Sequence, residues 1–204
     1  MSLINCPLPA SLGSIPATPC PLRWDQVQKL AFQRIQSAPS FATETALKTQ
    51  SNWTTLLNAA DNTKIIVTPY LNSFVVPASE ALKQGGNDNS TLNGVPELKG
   101  IGFVTVGFKF VNISAAAAAA IRALAAESVI APGVTNLSAY FFAKDRNIVH
   151  NTLAGFPIYN LVITDPGSEG LNANNEYNVS FDMPGGWSET WAQSTALFNP
   201  NLLS

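Results

Sequence analysis

The chain has 204 residues, 46% of them hydrophobic and only 12% charged, with a net charge of −2. Typical soluble domains carry about 25% charged residues, so this one presents a surface of small polar residues or covers much of it against neighbours. No basic cluster interrupts the balance, which excludes the electrostatic footprint needed to grip DNA or RNA.

Residues 1–23 hold Pro7, Pro9, Pro16, Pro19 and Pro21 without hydrophobic periodicity, and read as an extended arm. The arm has neither the charged start nor the continuous apolar stretch of a secretory signal. Cys6 and Cys20 are each followed by proline; two free thiols are expected, since a reducing compartment disfavours the bridge and a zinc site lacks two further ligands. Residues 24–204 are expected to form a single domain. From Trp24 to Ile35 strand alternation and a helix face compete, with the strand favoured. Ser51 is positioned to cap a helix through Ala60 that buries Trp53, Leu56 and Leu57. TKIIVTPY reads as a β-branched strand ending before Pro69, and Asn72–Val76 as a second, closed by Pro77.

Gly85, Gly86, Asn87, Asp88, Asn89, Ser90, Thr91, Leu92, Asn93 and Gly94 compose a polar loop whose one apolar residue is Leu92. From Gly102 to Val111, Val104, Val106, Phe108 and Phe110 alternate against Thr105 and Lys109. Asn112 or Ser114 then starts an alanine helix, with Ser114 the better cap, Ile121 and Leu124 its large apolar groups, and Pro132-Gly133 its end. The helix is expected to plug one side of a barrel or sandwich. Leu137–Ala143 and Asn147–Thr152 flank AKDRN as a hairpin. Phe156–Thr164 is apolar on both faces and so central; Glu176–Met183 alternates with Tyr177, Val179, Phe181 and Met183 inward. Gly185-Gly186 breaks that strand before a tail with Trp187, Trp191 and Phe198. The sum is a mainly β domain of about eight strands and two helices.

Chemistry is sparse. The lone His150 sits on a strand without a nucleophile motif and is expected at a surface or interface. The acids Glu80, Asp88, Glu97, Asp165, Glu169 and Glu176 fall mostly in loops, where solvated carboxylates are usual, although a pair of them would suit a glycosidase. Asn87-Asp88-Asn89 lacks the spacing of a calcium loop. Sequons begin at Asn52, Asn89, Asn112, Asn136 and Asn178, as a chain rich in Asn, Ser and Thr produces by chance. No phosphate-cradling motif occurs. The expectation is a non-enzyme without cofactor or metal, made in a cytoplasm, with no segment apolar and long enough to span a bilayer.

The order of long strand (Gly102–Val111), helix (Ser114–Ser128), hairpin around Lys144-Asp145-Arg146 and two further strands resembles the tail tube proteins of long-tailed bacteriophages. The segment from Thr63 to Phe103 also resembles virion proteins of phages of Bacteroidetes hosts. The resemblance implies a β-sandwich or barrel with one flanking Ala-rich helix, closing into hexameric rings that stack into a DNA-conducting tube in the virion. It implies self-association, contacts with other tail or connector proteins, DNA as non-adhesive cargo, and no membrane. It makes Gly85–Gly94 the loop that touches the next ring, with Trp187, Trp191 and Phe198 as subunit contacts. A capsid decoration or head–tail ring protein is the alternative. A carbohydrate-binding or hydrolytic sandwich using the same aromatics is a more distant one.

Overall fold

The computed structural model describes residues 26–86, 89, 91–128, 136–168, 170–171 and 173–204. The expected arm, with Cys6 and Cys20, lies outside them, as do Asn87, Asp88 and Ser90 of the polar loop and Pro132-Gly133 after the helix. Among the described residues there are eleven strands and three α-helices, more than the sequence suggests. The architecture is mainly β, with a large antiparallel sheet, as expected.

The nine-stranded sheet hinges on two strands. β1 (Val27–Arg34) pairs along its length with β7 (Leu137–Ala143), and on its other edge with the short β2 (Ile65–Val67). The far edge of β7 is shared: Phe141 and Phe142 pair with β8 (Asn147–Asn151), whereas Leu137–Ala139 pair with β9 (Phe156–Ile163). The remainder of β9 passes to β10 (Glu176–Met183), which pairs with β6 (Val104–Val111) and through it with β3 (Asn72–Val75). Where β9 changes partner, the register slips between Ser180 and Asp182 and Asn160 takes φ 52°. Such a bulge bends and twists a strand, and here it lets the sheet fold over itself.

The enclosed face is the first core. The alternation of β6 and β10 is realised in register, with Tyr177 opposite Phe110, Val179 opposite Phe108, Phe181 opposite Val106 and Met183 opposite Val104. α3 (Ala115–Ser128) closes one side, as expected of the alanine helix. The Ser114 hydroxyl accepts the Ala117 N–H at 3.1 Å, and Ala118, Ile121 and Leu124 enter the core. Its last turn is pinned twice. The Arg34 guanidinium donates to both oxygens of Glu127 at 2.8 and 2.9 Å, and Ser128 Oγ accepts the buried N–H of Leu161.

The opposite face of β1, β7 and β8 makes a second core. All seven residues of β7 are buried because it is covered on both sides. α1 (Glu44–Lys48) starts at Thr43, whose hydroxyl accepts the Ala46 N–H; α2 (Gln50–Leu57) follows at once. The helix expected from Ser51 to Ala60 therefore has Thr49 at its N-cap position and ends three residues early. Trp53 fills the space among Phe41, Leu47, Tyr140 and Phe142, while Ala196 and Leu203 cover it from the C-terminal side.

Candidate assembly surface

The polar loop is the tip of a feature the sequence does not announce. Among the described residues β4 (Ala81–Gln84) and β5 (Glu97–Ile101) pair only with each other, as a two-stranded ribbon separate from the main sheet. The strand expected over Gly102–Val111 is β6, which begins two residues later at Val104, and β5 before it is a separate strand that the sequence does not announce. At the tip, Gly85 and Gly86 take φ 70° and 109°, and Asn93 and Gly94 take 58° and 66°. These left-handed positions suit glycine and asparagine and explain their placement. A 3₁₀ turn at Leu92–Gly94 closes the loop, with Gly94 N–H bonded to Thr91 O at 3.0 Å.

The ribbon shows apolar side chains to solvent: Leu82, Leu98 and Ile101 along the strands, Val95 at 62% and Leu92 at 86% exposure near the tip. Phe103 at its base is 64% exposed and meets Tyr159 edge to face at 5.6 Å. On β5, Lys99 pairs with Glu97 at 2.7 Å. Gly102 N–H to Glu80 O at 2.8 Å extends the ribbon's own pairing by one step, and the ribbon meets the body through the chain itself and through the close passage of Gly185 against the carbonyl of Ile101.

The expected aromatic contacts are dispersed. Trp187 is half-buried and packs edge to face on Phe156 of the first core at 5.7 Å, and Phe198 packs on the second core. Trp191 lies on β11 (Trp191–Thr195), an edge strand beyond β8, and is 39% exposed. Two of the three are thus committed to this chain's own cores, which breaks up the aromatic platform a sugar would need. The outer side of β6 and β10 is polar, with one ion pair and one carboxylate held by neutral donors. Lys109 meets Glu176 at 2.7 Å, and Asp182 accepts from Thr105 and Asn160.

The loop acids follow the same rule. Glu97, Asp165 and Glu176 lie in ion pairs with Lys99, Arg122 and Lys109, while Asp88 and Glu169 lie outside the described residues. Among the described residues no group of three His, Cys, Asp or Glu converges as a metal site would, and no helix is long and apolar enough to cross a membrane. Three surface clefts measure about 210, 310 and 280 Å³, and none contains His150.

His150 overturns its expectation: it is 2% exposed, not at a surface. Its Nδ1 accepts the backbone N–H of Leu153 at 3.0 Å, which places the imidazole proton on Nε2. That nitrogen is 3.1 Å from Ser194 Oγ, and Ser194 donates onward to Glu44 at 3.1 Å. A serine nucleophile needs a bare nitrogen facing its hydroxyl. Here the proton already stands between them, so the three side chains are wired as a structural network.

No protein-family model matches the chain, and no curated protein does. A solved chain from the virion of a native gene transfer agent particle is similar over 64% of this chain and 87% of its own. The identity is 16% and the TM-score 0.35, too low for the likeness to bear on function.

Proposed function

We propose that this chain is a structural virion protein of the tail tube kind, a subunit that forms stacked hexameric rings around a DNA-conducting lumen. The observation that supports it best is the β4–β5 ribbon. A two-stranded hairpin is marginal in water on its own, and this one carries exposed leucine, valine and isoleucine while pairing with no strand of the body. A neighbouring copy would cover those side chains, and the segment 85–94 is the connection between the two ribbon strands. The low charge fits surface that ends between subunits. On the outer face of β6 and β10 Lys109 is paired with Glu176 and Asp182 adds a carboxylate, which fits a wall that lets phosphates slide past.

Negative-stain images of the purified full chain at high concentration test the reading. Rings and tubes are expected from the native sequence, and a variant with 85–94 replaced by Asn-Gly should leave rings without stacks. Monomers alone at high concentration would overturn self-assembly. Binding to preformed shells or connectors without tube growth would favour the decoration or connector role instead.

A further inference from the structure

His150 is the single histidine of the chain, and it ties three elements together from the floor of the second core. Ala192 of β11 is its register partner, and Ser194 is its diagonal hydrogen-bond partner on the same strand. Through Ser194 it reaches Glu44 at the start of α1. Through Nδ1 it holds the amide of Leu153 in the turn between β8 and β9. That turn is unusual in its residues. Thr152 and Leu153 stand at φ 47° and 68°, in the region that Asn and Gly fill in a two-residue turn, and Thr152 is β-branched. Asn151 and Ala154 close it with two hydrogen bonds, of 2.8 and 2.9 Å. A strained turn lasts only where its surroundings hold it, and His150 is one of those holds.

We propose that His150 is a proton-operated lock: neutral, it clamps the Thr152-Leu153 turn through Nδ1, and on protonation it releases that turn, while Nε2–H keeps its contact with Ser194 of β11. A second proton must go on Nδ1, where it faces the Leu153 N–H. Donor then meets donor in a buried site, and the turn loses its acceptor. The charged groups facing the ring are Glu44 and Lys48, both from α1 and paired with each other; β11 supplies Ser194 and the turn supplies backbone. Burial holds the imidazole below its ordinary value, Glu44 opposes that and Lys48 adds to it. The lock is therefore closed at neutral pH and opens in acid. This inference stands independently of the tube reading, because it concerns one chain's own turn.

Amide hydrogen exchange on the full chain tests it, between about pH 7.5 and about pH 4.5, either side of an ordinary imidazole near 6.5. After correction for intrinsic rates, peptides covering 152–154 should lose protection roughly tenfold or more on acidification, reversibly, while β6, β10 and β11 keep theirs. Exchange at the imidazole carbon of the one histidine gives its own titration midpoint, which should coincide with the loss. His150→Asn keeps an acceptor for Leu153 and cannot titrate, so its turn at 152–154 should stay protected in acid. Equal acid loosening in His150→Asn, a loss spread evenly over β6 and β10, or a histidine that titrates while the 152–154 turn stays closed would each overturn the lock. Should His150→Asn not fold, the match or mismatch of the two midpoints in the native chain decides.

Discussion

The indole of Trp53 stands edge-on to the ring of Tyr140, centroids 5.3 Å apart and planes at 78°. The contact joins α2 to the centre of β7, and Trp53 repeats it with Phe142 at 5.2 Å and 76°. Its Nε1–H is satisfied by Leu47 O at 2.7 Å, so the side chain also locks α1 to α2. Trp53→Ala should therefore cost about 3–5 kcal/mol, the range for removing a buried aromatic. Trp53→Phe keeps part of the packing and should cost less. Urea unfolding of the two variants checks the order, and equal, small losses would mean the second core does not support the sheet.

Tyr140 is wholly buried, and burial pushes its phenol up to about 12. The unfolded chain releases that proton near pH 10, while the folded chain holds it. Between those values the folded state binds more protons, so stability is full below about pH 10 and declines as pH rises, by about 1.4 kcal/mol per unit. Tyr140→Phe removes the term. Its stability relative to the native chain should rise by about 2–3 kcal/mol between about pH 10 and about pH 12 in denaturant titrations. Parallel curves over that range would refute the assignment.

How much of this was readable before the structure depends on whether a segment has a core to alternate against. β6 and β10 do, and their inward residues were named correctly and meet in register. β4 and β5 do not: ALKQ is exposed throughout and ELKGI nearly so, so neither carries a burial period, and a register shift between Leu82 and Lys83 blurs the rest. α1 is five residues long, too short for a helical repeat, and its only local sign is Thr43 ahead of Glu44. His150 is harder still. Its partner Ser194 is 44 residues away, and Glu44 is 150 residues from Ser194, a separation no local pattern conveys.

The β7–β8 turn was legible as a turn, but its residues are not the ones such a turn favours. Asp145 and Arg146 take φ 61° and 63°, where asparagine and glycine are preferred. Arg146 contributes its carbonyl to Ala196 N–H at 2.9 Å, a backbone bond that a substitution retains. Removing a left-handed penalty of about 1–2 kcal/mol per residue outweighs the extra chain entropy of glycine, about 0.5–1 kcal/mol. Arg146→Gly should raise stability by about 0.5–1 kcal/mol in thermal and urea melts. A loss would show that the arginine side chain does more than occupy the turn.

Two glycines, one against the ribbon and one in the middle of β6, differ in the space around them. A Cβ on Gly185 would stand 2.0 Å from the carbonyl oxygen of Ile101 and 2.8 Å from its carbon. That backbone is the foot of β5 and cannot yield as a flexible side chain would. Gly185→Ala should cost about 1–3 kcal/mol, as overpacking does, and tilt the ribbon away from the body. Gly107 on β6 has nothing within 4 Å of such a Cβ, so Gly107→Ala should be neutral or gain a few tenths of a kcal/mol from chain entropy. Melting curves of both variants, read beside their assembly in electron micrographs, distinguish the two effects. If the ribbon organises assembly, Gly185→Ala should impair it beyond its loss of stability while Gly107→Ala assembles normally. Normal assembly by a destabilised Gly185→Ala would detach the ribbon's seating from the contacts between copies.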